Sequence, residues 1–302
     1  MTIPRSCRVP HLEARMSHGA FSVVHGNGSV RTRLALLAGS LVTMLAMALA
    51  APGTANAANS GHMTHPDLDW LGSQIRIHEG AEAPGDSKVV SPMVTQTPGM
   101  DVSSYQGNVN WSGAWSNGAK FAYIKATEGT SYTNPYFTQQ YNGSYNVGMI
   151  RGSYHFALPD VSSGAAQADY FVAHGGGWSA DGKTLPGALD MEYNPYGATC
   201  YGKSASGMVS WISSFSNEYH AKTGRYPTIY TSTSWWSTCT GNSSAFSTNN
   251  ALWVARYSTS AGTLPAGWGY YTFWQWADSG TFPGDQDRFN GALDRVQAYA
   301  KG

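Results

Sequence analysis

The run Leu185-Pro-Gly-Ala-Leu-Asp-Met-Glu-Tyr193 carries near its end two carboxylates two residues apart, Asp190 and Glu192. In a β-strand alternate side chains share a face, which sets the two Cα atoms about 6.6 Å apart at a rise of about 3.3 Å per residue. Like charges that close resist joint ionisation, so one carboxyl can keep its proton near neutrality. An acid beside a base is what cleavage of a glycosidic bond requires. The bland alternative is an ordinary strand end with two solvated carboxylates, so the pair needs company before it means a site.

Company is available if the chain alternates strands and helices. Gly99-Met-Asp-Val-Ser103 reads as a first strand carrying Asp101, and Phe121-Ala-Tyr-Ile-Lys125 as a second, followed by Glu128. Met149 to Phe156 is a third, and the fourth ends in the Asp190/Glu192 pair. Tyr226 to Thr231 is a fifth, Ala251 to Arg256 and Tyr271 to Trp276 are two more, and a short stretch begins at Asp285. Helices are expected over Asn110–Gly118, with Trp111 and Trp115 at helical spacing, and over Pro135–Asn146. Two more are expected over Ser162–His174, with Ser162 as N-cap, and over Ser204–Thr223, ended by Gly224. After the fifth strand the helices fade. About eight strands, five of them followed by helices, predict an α/β fold: a modified TIM-like (β/α)5(β)3 barrel with an irregular second half. In such barrels chemistry lies at the carboxyl ends of the strands. Of Asp101, Glu128, Asp190, Glu192 and Asp285, the last of which begins its stretch, four would converge at that end, with Tyr154, His155, Tyr230, Trp274, Gln275 and Trp276 beside them. Glu128, Tyr154, Tyr230 and Trp274 are the candidate substrate-binding residues. His155 reads better as a hydrogen-bonded wall residue than as a catalyst. Lys125, inside an apolar strand, reads better as an ion-pair partner than as a nucleophile.

Composition narrows the chemistry. Residues 1–57 hold five Arg and one Glu, so residues 58–302 carry four more acidic than basic groups. No basic patch points to nucleic acid or to an anionic membrane surface. No Gly-rich phosphate loop is present, and Ser103, Ser104 and Ser153 lack the His and Asp that would activate them. No His or Cys pair has metal-ligand spacing, so neither metal nor cofactor is expected. An acidic groove rimmed by aromatic rings suits a neutral or cationic polysaccharide. The eleven Trp residues suit either sugar stacking or core packing.

The start of the chain reads as export machinery. Arg31 and Arg33 precede the uncharged apolar run Leu34–Ala50, and small residues stand at Ala55 and Ala57. This pattern predicts a secretory signal over 1–57, cleaved after Ala57, with translation starting at Met1, Met16 or later. The run is slightly short for the roughly 20 residues of a membrane span. Residues 58–98, polar and rich in Pro, are expected to form an extended, weakly ordered arm, with Trp70-Leu71 able to anchor a short piece. The barrel is expected over 99–302. In an exported chain Cys200 and Cys239 are expected to form one disulfide. It would close a loop of about 40 residues and contribute roughly 3–4 kcal/mol in the chain-entropy picture.

Three stretches resemble the Chalaropsis-type lysozymes, glycoside hydrolase family 25. The first runs from Asp101-Val-Ser-Ser-Tyr-Gln-Gly107 through Gly118 and Tyr123-Ile-Lys-Ala-Thr-Glu-Gly129 to Tyr132-Thr-Asn134. The second is Asp190-Met-Glu192, and the third is Asp285-Gln-Asp-Arg-Phe-Asn-Gly291. A lone Asp-x-Glu is weak, but the ordered combination is specific, and it covers Gly99 to the C-terminus. The resemblance implies a barrel with fewer than eight helices and an N-acetylmuramidase that cuts the β-1,4 bond between N-acetylmuramic acid and N-acetylglucosamine in peptidoglycan. By position it implies Glu192 as proton donor, with Asp190, Asp101 and Asp285 as the other active-site carboxylates; Asp287 competes with Asp285 for the last place. The expected product is a secreted, extracellular monomer with no membrane attachment once the signal is cleaved. Two rivals are a non-catalytic wall-binding module and a chitinase-like glycosidase. The longer acidic signature of the latter is absent, because Leu185 to Leu189 precede Asp190. The nucleophile stays open between Asp190 itself and the substrate's 2-acetamido oxygen.

Overall fold

The computed structural model describes residues 67–81 and 95–302. The expected signal over 1–57 and the rest of the arm lie outside the described residues. Nine strands follow in chain order among the described residues: β1 (Thr97–Val102), β2 (Phe121–Glu128), β3 (Tyr132–Thr133), β4 (Ile150–Phe156), β5 (Ala188–Asp190), β6 (Thr228–Ser232), β7 (Leu252–Ala255), β8 (Phe273–Ala277) and β9 (Asp285–Phe289). Eight close into a barrel in the order β1-β2-β4-β5-β6-β7-β8-β9, and β3 is a short antiparallel flap on β2. Neighbours from β1 round to β8 are parallel; β9 runs antiparallel to both β8 and β1.

A short helix, α1 (Ile75–Glu79), precedes the barrel. Helices α2 (Trp111–Ser116), α3 (Phe137–Asn146), α4 (Gly164–Phe171), α5 (Ala205–Thr223) and α6 (Thr233–Thr240) follow β1, the β2–β3 pair, β4, β5 and β6. No helix separates β7, β8 and β9, and α7 (Leu293–Lys301) ends the chain. This is the expected (β/α)5(β)3 barrel. Helices α1, α6 and α7 were not located from the sequence. They are short, at five, eight and nine residues, and a period of 3.6 barely repeats over such lengths.

Local chemistry sets the element ends. Asn110, Ser163 and Ser204 each accept an N–H of the first turn of α2, α4 and α5. The expected N-cap Ser162 is displaced by its neighbour. Ser163 Oγ takes the Ala166 N–H at 3.2 Å, while Ser162 Oγ accepts from Gln167 Nε2 at 3.0 Å. Gly224, with φ +76°, ends α5 in the left-handed conformation that favours glycine. Every residue of β2 is buried, as a parallel strand covered on both faces requires.

One half of the barrel interior is filled by rings. Tyr123 lies 4.7 Å from Trp253 and 5.5 Å from Phe273, and Phe273 lies 5.2 Å from Phe289. Seven of the eleven Trp residues are buried, so the choice between stacking platform and core falls mainly to core. The expected disulfide is present between Cys200 and Cys239, 39 residues apart, and ties the loop after β5 to α6.

Candidate active site

The antiparallel course of β9 decides which groups meet. Asp101, near the end of β1, pairs across the sheet with Asp285, the first residue of β9. A strand running the other way would carry Asp285 to the opposite mouth. Asp190, the last residue of β5, lies level with Phe156 and Tyr230, and Glu192 follows two residues on. Gln275 of β8 joins the groups: its Nε2 donates to Asp101 Oδ2 at 2.9 Å and to Asp285 Oδ2 at 2.8 Å. Its Oε1 accepts from Tyr230 Oη at 2.7 Å and from Tyr257 Oη at 3.1 Å. Asp287 pairs with Gly99, one step deeper in the barrel, and accepts the Trp253 indole N–H at 3.1 Å. Asp285 is therefore at the mouth and Asp287 below it.

All of these carboxyls are buried. Glu192 is pushed up to about 8 by burial, against the lowering effect of two backbone N–H groups, those of Gly72 and Gln74. Asp101 is pushed up to about 7 by burial, against its hydrogen bonds to Gln275 and Asp287. Asp190 is raised by burial and then by the Glu192 charge, and Asp285 by burial and then by Asp101. Among the described residues neither oxygen of Asp190 has a hydrogen-bond partner. A buried acceptor pair of this kind calls for a donor.

Beside the cluster stands Lys125 of β2, the ion-pair partner expected. Its Nζ lies 2.6 Å from Glu128 Oε2 and 3.1 Å from Asp69 Oδ1. Burial opposes its charge, but those carboxylates outweigh it and raise its pKa. Glu128 also accepts from Tyr196 Oη at 2.7 Å and is pushed up to about 7 by burial, which outweighs a cation shared with Asp69. His155 is a wall residue. It hydrogen-bonds Thr127 at 2.7 Å and Gln167 at 2.9 Å, and burial pushes it down to about 3.

Of the candidate substrate-binding residues, Glu128, Tyr154 and Tyr230 reach this end of the barrel. Trp274 does not join them. Successive residues of a strand alternate faces, so with Gln275 turned inward Trp274 turns outward. There it donates to the Arg256 carbonyl at 2.9 Å and packs against Tyr271. The sequence reading passed over Tyr257, Tyr196 and the bridging role of Gln275. Tyr257 follows β7 by two residues, so its place just past a strand end was the signal available.

Residues 67–81 are packed where a weakly ordered arm was expected, and Leu71 makes the anchor expected of Trp70-Leu71. Leu71 and Ile75 are fully buried in the main core. The Leu71 N–H donates to Tyr154 Oη at 3.2 Å, and its carbonyl accepts from Gln275 Nε2 at 3.0 Å. The Gly72 N–H donates to Glu192 Oε1 at 2.8 Å, the Gln74 N–H to Glu192 Oε2 at 3.4 Å, and the Gly72 carbonyl accepts from Tyr257 Oη at 3.0 Å. Asp69 accepts from Tyr196 Oη at 2.9 Å, and its carbonyl accepts from Lys125 Nζ.

So many raised carboxyls predict a definite pH dependence of stability. Asp101, Glu128 and Glu192 titrate near 7 to 8 when folded and near 3.8 to 4.5 when not. The folded state therefore holds more protons between those limits, and stability falls as pH rises from about 4 to about 8. His155, neutral when folded, pulls the other way below its ordinary 6.5, but it is one group against three. Thermal melts should show a higher Tm at pH 5 than at pH 8; the reverse order would show that these carboxyls are ionised in the folded protein.

Among the described residues no three His, Cys, Asp or Glu side chains converge as a metal site would need. No described helix is long and apolar enough to cross a membrane.

Comparison with known proteins places this geometry. The sequence profile of the glycosyl hydrolases family 25 matches residues 100–285. The N,O-diacetylmuramidase of Chalaropsis sp is 55% identical over 208 residues, 68% of this chain and 99% of its own. Lysozyme M1 of Streptomyces globisporus is 45% identical over 278 residues, 89% of this chain and 95% of its own. The crystal structure of the bacterial lysozyme from Streptomyces coelicolor superimposes with a TM-score of 0.66 at 48% identity, covering 70% of this chain and 99% of that one.

Proposed function

The chain belongs to family 25 of the glycosyl hydrolases, and from that membership we propose a secreted N-acetylmuramidase that cuts the β-1,4 bond between N-acetylmuramic acid and N-acetylglucosamine. The coarser activity, peptidoglycan hydrolysis of the lysozyme class, is that of a glycoside hydrolase whose relatives are muramidases and lysozymes. Export is supported by the apolar run Leu34–Ala50 before Ala57 and by the Cys200–Cys239 disulfide.

The observation that carries the mechanism is a buried Glu192, its pKa raised by that burial, next to an Asp190 whose oxygens have no donor among the described residues. Glu192 gives its proton to the glycosidic oxygen as the bond to C1 of the muramic acid breaks. The 2-acetamido oxygen of that sugar closes on C1, while Asp190, ionised, accepts the acetamido N–H and faces the positive charge that develops. Water then opens the ring intermediate, with Glu192 taking back the proton, and the configuration at C1 is retained. Asp101 and Asp285, tied by Gln275, hold the floor of the site. Glu128, Tyr154 and Tyr230 line the substrate's path.

The test is product chemistry with residues 95–302, which hold all eight barrel strands and the whole match to the family profile. Digestion of purified peptidoglycan should place every new reducing end on N-acetylmuramic acid, with chitin left uncut. New reducing ends on N-acetylglucosamine, or comparable cutting of chitin, would overturn the specificity.

A further inference from the structure

In this structure the site is occupied by the chain itself. Gly72 N–H sits 2.8 Å from Glu192 Oε1, on the carboxyl that must meet the glycosidic oxygen. No sugar can reach Glu192 while that contact stands. The segment satisfies the site in a sugar's place. A peptide amide offers one donor and one acceptor, as an acetamido group does, and here successive amides use them on Tyr154, Glu192, Gln275 and Tyr257.

The fit is particular to these residues. Gly72 has φ +88°, and a Cβ there would stand 2.3 Å from Tyr257 Oη and 2.5 Å from Gln275 Oε1. Only glycine fits both the conformation and the space. On one side Asp69 pairs with buried Lys125. On the other, α1 rests its His78 ring on Tyr193 at 4.1 Å, and Glu79 accepts from Tyr193 Oη at 3.0 Å. Ile77 faces outward, 67% exposed, so the covering layer is one chain thick.

The barrel is complete without it. All eight of its strands lie within residues 97–289, and the Chalaropsis sp enzyme is matched 99% by 68% of this chain, a length that residues 95–302 can hold. The match to lysozyme M1, in contrast, is too long to be held within residues 95–302, and so it extends into the region that contains the segment.

We propose that residues 69–79 are a built-in inhibitor of the catalytic cleft, and that the hydrolase is held inactive while they are seated. The inference rests on the muramidase reading above and adds its regulation. Turnover then scales with the fraction of molecules in which the segment is off.

The experiment compares reducing-end release from purified peptidoglycan by three proteins: residues 95–302, the full chain, and the full chain carrying Gly72→Val. Residues 95–302 should be active, the full chain at least about tenfold slower, and Gly72→Val should recover most of the difference. Asp69→Ala, which removes the ion pair to Lys125, is a second variant outside the barrel and should recover part of it. Equal rates for the full chain and residues 95–302 would overturn the inference and leave the hydrolase standing. So would a slow full chain that neither variant speeds, provided both melt as the parent barrel does. If residues 95–302 release no reducing ends, the muramidase reading falls, and the inhibitor falls with it.

Discussion

Glu192→Gln in residues 95–302 lowers reducing-end release from peptidoglycan by about 10³-fold, within the roughly 10²–10⁴ that a positioned general acid contributes. The amide keeps the size of the side chain and can still accept one hydrogen bond, so the fold should stand. What it lacks is a proton that can leave. A substrate analogue with an activated aryl leaving group needs no proton, and on it the variant should keep most of the parent rate. The same carboxyl sets the alkaline limb of the pH–rate profile. It must be protonated to act, so kcat/KM falls as pH rises through its pKa. With residues 67–81 in place that value is about 8; unseating them relieves part of the burial, which lowers it, and removes the Gly72 and Gln74 N–H groups, which raises it. Near-normal turnover on peptidoglycan, or an equal loss on the activated analogue, would remove Glu192 from the acid role.

Asp190→Asn should cost about 10²–10³-fold in kcat, the size seen when a buried electrostatic partner of a transition state is removed. The reason is sign. In the proposed mechanism its carboxylate faces the C1 that gains positive charge, and an amide offers that charge a dipole in place of an anion. Binding of the ground-state sugar changes less, so KM should move by only a few-fold. Following the fresh product by NMR gives the stereochemical check: the β-anomer should appear first and then equilibrate. First appearance of the α-anomer would mean inversion and would sink the acetamido route. A variant with kcat within about threefold of the parent would show that Asp190 does not face the developing charge.

The two tests also separate the roles of neighbours that share one environment. Both carboxyls are buried and both are raised, so protonation alone does not tell acid from stabiliser. The distinction comes from their contacts. Even with residues 67–81 seated neither oxygen of Asp190 has a donor among the described residues, whereas the two donors on Glu192, the Gly72 and Gln74 N–H groups, leave with that segment. A group left short of donors is the one suited to take an N–H from substrate.

Much of this site was legible in residue order. The strand–helix rhythm put Asp101, Glu128 and Asp190 at strand ends, while Glu192, expected on the same strand face, lies two residues past the end of β5. A lysine inside an apolar strand announced a buried ion pair, which Lys125 makes with Glu128 and Asp69. These signals are local: each follows from a side chain's position relative to residues a few places away. The choice between Trp274 and Gln275 was not legible. Both stand within β8, and a shift of one residue exchanges the faces. The level of Asp285 against Asp287 depended on the antiparallel course of β9, and its pairing with β1 spans most of the barrel sequence.

The largest gap was the arm. Residues 67–81 show no period, contain one five-residue helix, and read as loose chain on composition. Their order comes from partners far away: Gly72 meets Glu192 across 120 residues, and Leu71 meets Gln275 across 204. The amino-acid order thus decided the chemistry available, the barrel that carries it and the carboxyls that crowd its mouth, because those depend on side-chain type and short-range periodicity. Tertiary structure alone decided which of two neighbouring side chains enters the cleft and that the chain's own backbone fills it. Contacts between distant segments are set by the shape and hydrogen-bonding of a surface that exists only once the barrel has closed.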